Sequence, residues 1–192
     1  MAGALVVLGY LSGSIPFGVI LTRAVKGVDV RTQGSGNIGA TNVTRVAGRR
    51  VGAVVLLLDA AKGALPVLAA RLLLPGEPRV HAAVALAAFL GHVFPVWLKL
   101  RGGKGVATAL GALLVLVPWA ALAGLAVYAV LFVLLRTSSI GSLAGGGVTV
   151  VTAFLVSREG EYAILTAALF GMMVFTHRAN IARILRRAER RF

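Results

Sequence analysis

Long hydrophobic stretches alternate with short basic loops along this chain of 192 residues. Residues 2–22 carry no charged side chain, and further hydrophobic stretches follow at residues 51–74, 80–98, 140–156 and 162–176. A helix needs about 20 apolar residues to cross the hydrocarbon core of a bilayer. The pattern therefore predicts an all-α integral membrane protein, in which Trp97 is placed as an interfacial anchor.

The longest uncharged stretch, residues 105–135, is interrupted by Pro118. One long helix here would give six spans and would divide the basic residues almost evenly, ten against nine, between the two membrane faces. Two helices would give seven spans and place sixteen basic residues on one face against three on the other. Because Lys and Arg collect on the cytoplasmic side, we expect seven transmembrane helices, with the N-terminus outside and the C-terminus in the cytoplasm.

Composition narrows the class of protein further. Charged residues make up 14% of the chain, whereas soluble domains have about 25%. The net charge of +14 would suggest nucleic acid in a soluble protein, but the basic residues lie in loops between hydrophobic stretches, so no nucleic-acid partner is expected. Cysteine is absent, which excludes disulfides, thiolate metal sites and a thiol nucleophile. We expect one transmembrane domain over residues 1–192.

The C-terminal residues 177–192 form a basic tail with an amphipathic pattern. Ile181, Ile184 and Leu185 stand among six arginines, which suits a segment that lies on anionic lipid. For the last half of the tail, a plain anchor that sets the topology is an equally good interpretation. We expect a basic interfacial tail.

A glycine-rich loop at residues 34–42 is the first candidate for chemistry. Closely spaced glycines let backbone N–H groups converge on an anion, and Arg45 and Arg49, four residues apart on a helix, would share a face that suits phosphate. The alternative is a flexible loop whose arginines only set the topology. We predict a phosphate-binding loop with the residues Gly34, Ser35, Gly36, Asn37, Gly39, Thr41 and Asn42.

A second glycine-rich cluster opens the predicted fourth span. Gly102, Gly103 and Lys104 precede the start of a helix, where phosphate binds readily. The cluster is not a nucleotide P-loop, because Leu98 stands where that motif needs its first glycine and Gly105 follows the lysine. An ordinary loop lysine is the alternative.

The third cluster lies at the end of the last predicted span. His177 and Asn180 are three residues apart and share a helix face. A histidine here can accept a proton near neutral pH or donate to a phosphate. The alternative is an interfacial histidine that caps a helix. All three clusters lie on the cytoplasmic side of the predicted topology, which favours a shared function.

Charged and ionisable residues within the predicted spans are interpreted as structural. Asp59 and Lys62 can pair on one helix face and tie that helix to its neighbours. His81 and His92 have no third ligand beside them, so we expect no metal site; His92 is interpreted as a hydrogen-bond donor between helices.

Several catalytic signatures are absent from the sequence. No serine stands in a Gly-x-Ser-x-Gly nucleophile elbow, and no histidine has an aspartate five positions later, as in the common glycerolipid acyltransferases. No acidic pair lies in a cytoplasmic loop to hold Mg²⁺, which argues against kinases and metal-dependent phosphotransferases.

Residues 34–42, 102–108 and 177–181 together resemble the bacterial membrane acyl-phosphate:glycerol-3-phosphate acyltransferase family. The segment from Asp59 to Lys62 extends the resemblance, which covers nearly the whole chain, and three motifs in order are highly specific. The resemblance implies a seven-helix enzyme of the bacterial inner membrane with its active site on the cytoplasmic side. It would transfer a fatty acyl group from acyl phosphate to the 1-hydroxyl of glycerol 3-phosphate, giving lysophosphatidate and phosphate in phospholipid biosynthesis.

We expect no cofactor and no metal, infer no obligate protein partner, which allows a monomer, and expect membrane lipid around the helices. We assign the glycerol-phosphate headgroup to Ser35, Arg45, Lys104, His177 and Asn180. The donor phosphate is assigned to residues 37–42 and to the amides of Gly102 and Gly103, and Ser139 and Ser142 are lesser candidates for phosphate contact. Either His177 or a substrate phosphate accepts the hydroxyl proton.

Two functions of other classes remain as alternatives. A small transporter of anionic solutes or lipids would explain the spans and the intramembrane charge pair. Transporters, however, place their sites near the membrane midplane and often between repeats, and no repeat is evident here. A structural membrane subunit would leave three phosphate-suited motifs unexplained.

Overall fold

The computed structural model describes residues 1–191, and the regular elements in that range are all helical, which confirms the predicted all-α class. The chain forms two compact units, Met1–Ala112 and a second that begins at Leu113. The predicted single domain stays a prediction. The first unit contains α1 (Ala2–Ser14), α2 (Phe17–Lys26), α3 (Ala40–Ala47), α4 (Arg49–Leu73), α5 (Pro78–Val93) and most of α6 (Val106–Leu116). The second contains α7 (Pro118–Leu135), α8 (Ser138–Val156), α9 (Gly160–Thr176) and α10 (Arg178–Leu185).

Five helical segments within residues 1–191 are long and apolar enough to cross a membrane. A sixth results if α9 and α10, which meet at an angle of 62°, count as one bent span, and α6 is a shorter apolar helix. The chain is therefore a multi-pass membrane protein, while seven spans stay a prediction. The five segments are Ala2–Lys26, Arg49–Leu73, Pro78–Leu98, Pro118–Leu135 and Ser138–Val156.

Proline interrupts the apolar stretches at Pro118 and at Pro16. The predicted break at Pro118 is confirmed, because α6 ends at Leu116 and Pro118 begins α7, a position where the missing N–H of proline costs no hydrogen bond. A second break lies at Pro16, between α1 and α2, where the sequence predicted one uninterrupted stretch. The Ile15 carbonyl at this break accepts a hydrogen bond from Lys62 Nζ at 2.7 Å.

Small residues bring the helices of the first unit close together. A Cβ added to Gly13 of α1 would lie 1.9 Å from the Ala88 carbonyl oxygen of α5, and one added to Gly63 of α4 would lie 2.1 Å from the Thr108 carbonyl oxygen of α6. Such backbone approaches are typical of helix packing in lipid, where van der Waals contact replaces the hydrophobic effect. These close contacts set the positions of α5 and α6, and residues 99–105 lie between these two helices in the chain.

In the second unit, α7 and α8 also pack through glycine. A Cβ at Gly124 of α7 would lie 2.5 Å from the Gly145 carbonyl oxygen of α8. On its other side α8 packs against α9, where Gly146 faces Met173 and Phe170. The last turn of α9 is thereby placed beside α8, which carries Ser139 and Ser142.

Candidate active site

The glycine-rich loop at residues 34–42 is organised by one buried side chain, Asn42. Its Nδ2 donates to the carbonyls of Val30, Gln33 and Asn37 at 3.2, 3.0 and 2.9 Å. Its Oδ1 accepts the backbone N–H of Ser35 at 2.8 Å. Both polar groups of Asn42 are thus used to shape the loop, and a direct contact of Asn42 with substrate stays a prediction.

Two glycines explain why this loop is rich in that residue. Gly34 has a φ of +61° and Gly36 a φ of +72°, the left-handed region that side chains rarely adopt. A Cβ at Gly34 would also lie 2.2 Å from Asn42 Oδ1. At the end of the loop, Asn37 Oδ1 accepts the N–H of Gly39 at 2.9 Å, just before α3 begins. The loop therefore has a defined conformation that hydrogen bonds of Asn42 and Asn37 hold in place.

The side chains that the loop and α3 offer to a ligand lie at the surface of the first unit. Ser35 and Arg45 are exposed, and Thr41 is half-buried. The prediction that Arg45 and Arg49 share one helix face is wrong. Gly48, with a φ of +91°, ends α3 and precedes α4, so the two arginines lie on different helices.

The ion pair between Asp29 and Arg31 precedes this loop. Arg31 Nη2 lies 2.6 Å from Asp29 Oδ2, and the backbone N–H of Arg31 donates to Asp29 Oδ1. These hydrogen bonds from Arg31 lower the pKa of the Asp29 carboxyl to about 2. Asp29 is therefore ionised throughout the physiological pH range and neutralises Arg31.

The second glycine-rich loop is held by the C-terminal end of α5. The N–H of Gly102 donates to the Val93 carbonyl and that of Gly103 to the His92 carbonyl, each at 3.0 Å. The sequence analysis assigned these two amides to the donor phosphate, but in the structure they donate to backbone carbonyls of α5. The charged group that this loop contributes is Lys104, which is half-buried.

The two glycine-rich loops share one hydrophobic cluster. Ile38, within the first loop, is buried together with Val30, Val43 and Val55, and Leu98, just before the second loop, packs against the same cluster. In addition, a Cβ at Gly18 of α2 would lie 1.8 Å from the Ile38 carbonyl oxygen. The cluster thus connects the first predicted phosphate-binding segment with the residues that lead into the second, although more than fifty residues separate the two segments.

In the second unit, His177 lies at the bend between α9 and α10 and is 2% exposed. Its Nδ1 lies 2.8 Å from the Met173 carbonyl oxygen. Because a carbonyl only accepts hydrogen bonds, Nδ1 carries the proton, and the lone pair of the neutral ring is on Nε2. The predicted role of His177 as a base, which would act through Nε2, stays a prediction.

The predicted serines of α8 are engaged in different ways. Ser142 Oγ donates to the Ser138 carbonyl at 2.9 Å, a bond within its own helix. Ser139 Oγ donates to Glu189 Oε1 at 2.9 Å. Phosphate contact by either serine stays a prediction.

Glu189 is a residue that the sequence analysis missed. The chain turns after α10, where Arg187 has a φ of +53°, and this turn returns the Glu189 carboxylate to α10. Asn180 Nδ2 donates to Oε1, and Arg183 Nε donates to Oε2 at 2.8 Å. The signal that could have found this residue is that Glu189 is the one acid among the six arginines of the tail.

The hydrogen bonds of Glu189 make one pH effect predictable. Burial works to raise the pKa of this carboxyl, but the bonds from Asn180, Arg183 and Ser139 outweigh it and lower the pKa below its ordinary value. A lowered pKa means that the ionised carboxylate stabilises the folded state. This contribution is complete above the ordinary pKa of about 4.5 and is lost as the pH falls through the lowered value.

Replacing Glu189 by Gln is expected to lower the Tm of the purified protein at pH 7 by about 3 to 8 °C. The difference in Tm between the wild type and Glu189→Gln should stay constant from pH 7 down to about 4.5 and should shrink only as the pH falls further, through the lowered pKa at which the wild-type carboxylate becomes protonated. Glu159→Gln, an exposed acid before α9, is the control and should leave Tm unchanged. Parallel pH curves for the wild type and Glu189→Gln would contradict this role.

Comparison with known proteins adds an independent finding. Residues 3–187 match the family model described as glycerol-3-phosphate acyltransferase. The glycerol-3-phosphate acyltransferase of Myxococcus xanthus (strain DK1622) is 68% identical, with 100% of both chains covered. That of Anaeromyxobacter dehalogenans (strain 2CP-C) is 54% identical, over 100% of this chain and 97% of the relative.

The fold also matches a solved structure over its whole length. The crystal structure of PlsY (YgiH), an integral membrane glycerol 3-phosphate acyltransferase in its glycerol 3-phosphate form, superposes with a TM-score of 0.95 and 38% identity. The match covers 100% of this chain and 95% of that one. The lysophosphatidic acid form of PlsY gives a TM-score of 0.93 at 37% identity.

Proposed function

Because this chain belongs to the glycerol-3-phosphate acyltransferase family, we propose that it transfers a fatty acyl group from acyl phosphate to the 1-hydroxyl of glycerol 3-phosphate. The products are lysophosphatidate and inorganic phosphate. The observation that carries this proposal is the pair of glycine-rich loops on one hydrophobic cluster in the first unit. Two phosphorylated substrates need two such phosphate-binding segments.

The glycerol-phosphate headgroup is assigned to Ser35, Arg45, Lys104, His177 and Asn180. Arg and Lys form charge-assisted hydrogen bonds with phosphate, and Ser35 adds a neutral hydroxyl. The donor phosphate is assigned to residues 37–42. Since α5 carbonyls bind the amides of Gly102 and Gly103, the part that we assign to these two glycines is to seat Lys104.

The reaction needs no nucleophile from the protein, because an acyl phosphate is already activated. The 1-hydroxyl oxygen attacks the acyl carbon, a new ester bond forms, and the bond from the acyl carbon to the phosphate oxygen breaks. The hydroxyl proton passes to His177 Nε2 or to a substrate phosphate. The protein contributes orientation and cations that stabilise the developing charge, which fits a chain without cysteine.

We also propose that the site lies on the cytoplasmic side of the bacterial inner membrane in a protein of seven transmembrane helices, with the N-terminus outside. The distribution of Lys and Arg supports this topology. The acyl chain of the donor then remains in lipid or between helices, while its phosphate meets the basic loops.

One assay tests the proposed function. The purified protein in lipid vesicles is given labelled glycerol 3-phosphate and synthetic palmitoyl phosphate, and we expect labelled lysophosphatidate and an equal amount of phosphate. Palmitoyl-CoA, offered in parallel, should give no product. Turnover with palmitoyl-CoA and none with palmitoyl phosphate would contradict the proposed donor, and uptake of unchanged glycerol 3-phosphate into the vesicles would indicate a transporter.

A further inference from the structure

Asp59 and Lys62 place two charges in the interior of the first unit. Their side chains are 3% and 2% exposed, and Lys62 Nζ lies 2.8 Å from Asp59 Oδ1. Lys62 also donates to the Ile15 carbonyl at the break between α1 and α2. Buried charges are costly in a membrane protein and are kept where they bind or orient something. The pair thus connects α4 to the break between α1 and α2. The Asp59 carboxylate also lies near a third residue.

That third residue is His92, which lies near the end of α5 and is 3% exposed. Its Nδ1 lies 3.8 Å from Asp59 Oδ1. Its Nε2, on the other side of the ring, faces the second glycine-rich loop, since a Cβ at Gly103 would lie 2.1 Å from it. The His92 carbonyl also accepts the N–H of Gly103. One residue therefore contacts Gly103 through both its backbone and its ring.

The loop is enclosed on both sides of Lys104 by side chains of α5. On the far side Gly105 adopts a φ of +81°, and a Cβ there would lie 2.1 Å from Cε2 of the Phe89 ring. Phe89 and His92 are three residues apart, so both rings project from one face of the helix. The backbone on either side of Lys104 is thus held by two buried rings, which leaves the lysine backbone little freedom.

We propose that His92 is a positioning residue for Lys104. Its ring, which packs between Asp59 and the second glycine-rich loop, fixes Gly103 and so sets where the Lys104 ammonium meets the phosphate of glycerol 3-phosphate. This inference rests on the proposed function, in which Lys104 binds that phosphate. A displacement of about 1 Å in a substrate-positioning group can cost about a hundredfold in rate, so the enclosure of the loop has a direct catalytic consequence.

The first arm of the test compares two histidines of the same helix. We expect His92→Ala to raise the KM for glycerol 3-phosphate about tenfold and to leave the KM for acyl phosphate within about twofold. His81→Ala is the matched control, because His81 is equally buried, binds the Leu74 carbonyl and lies at the opposite end of α5. It should lower Tm without changing either KM. Equal KM changes in the two variants would overturn the inference.

The second arm is a double-mutant cycle. Gly103→Ala should raise the KM for glycerol 3-phosphate about a hundredfold, because the new methyl group meets the His92 ring, and adding His92→Ala should return it to the level of His92→Ala alone. Gly102→Ala is the matched control: its Cβ would lie 2.1 Å from the His92 carbonyl oxygen and 2.7 Å from that of Val93. These are backbone atoms, so His92→Ala should not rescue it. Additive effects in the Gly103 cycle would overturn the inference.

A binding measurement separates this inference from the proposed function. Glycerol 3-phosphate should raise the Tm of the wild type, and the concentration needed for a given shift should increase about tenfold in His92→Ala. A wild type that responds to glycerol 3-phosphate but does not use acyl phosphate would refute the proposed donor only. A normal response in His92→Ala would refute the positioning role only.

Discussion

Lys104→Met is expected to lower kcat/KM for glycerol 3-phosphate by about 100- to 1,000-fold. The variant keeps the length and the apolar stem of the side chain but removes the charge that we assign to the substrate phosphate. This range corresponds to about 3 to 4 kcal/mol, which lies within the loss of about 2 to 5 kcal/mol expected when one partner of a buried charge pair is truncated. Lys104 is half-buried in a loop that two backbone hydrogen bonds hold in place.

The measurement is a steady-state titration with glycerol 3-phosphate at saturating acyl phosphate. Lys99→Met is the matched control, since Lys99 precedes the same loop and is exposed, and it should stay within about threefold of the wild type. Lys104→Arg keeps the charge and should recover part of the loss. A Lys104→Met enzyme within tenfold of the wild type would remove Lys104 from the phosphate site.

His177→Gln is expected to lower kcat by about 100-fold or more while the KM values change less than about threefold. This expectation follows if His177 accepts the hydroxyl proton, because general-base catalysis contributes about 100- to 10,000-fold. The Met173 carbonyl holds Nδ1 at 2.8 Å and so presents Nε2 as the base. Glutamine keeps a neutral polar side chain of similar size but has no basic nitrogen.

The kcat and the KM of His177→Gln are measured over a range of pH for both substrates. The wild type should lose kcat as the pH falls, because a protonated imidazole cannot accept the proton, and the variant should lack this dependence. His81→Gln serves as the control for the loss of a buried histidine elsewhere. A near-normal kcat with a raised KM would show that His177 binds substrate and that a substrate phosphate takes the proton.

The features of the fold that were predicted correctly depend on local properties of the chain. Hydropathy predicted the all-α membrane class, and Pro118 predicted the division between α6 and α7 because its missing N–H is visible in the sequence. The break at Pro16 was not predicted, although its residue type is the same. Its structural significance depends on Lys62, 47 residues away, which binds the carbonyl of Ile15.

The candidate site likewise has features that the local sequence predicted and features that depend on contacts distant in the chain. Residue types and spacing predicted which segments could bind phosphate, since glycine, arginine and lysine have the required chemistry wherever they lie. The sequence could not show that the Asn42 side chain shapes its loop, or that Glu189 binds Asn180. It also placed Arg45 and Arg49 on one helix, although Gly48 between them adopts a φ of +91°, which glycine permits and which separates α3 from α4.

The order of hydrophobic and basic segments was enough to predict the membrane environment and the helical class of this protein, and it proposed the segments that bind phosphate. These follow from transfer free energies and side-chain charges, which each residue carries independently of its neighbours. The role of each polar group depended on the tertiary structure. A side chain forms such a hydrogen bond only when folding brings a partner that is distant in the chain to within about 3 Å. His92 is the clearest case: the sequence shows only a histidine in an apolar helix, and its position between Asp59 and Gly103 comes from the packing of α4, α5 and the loop that follows.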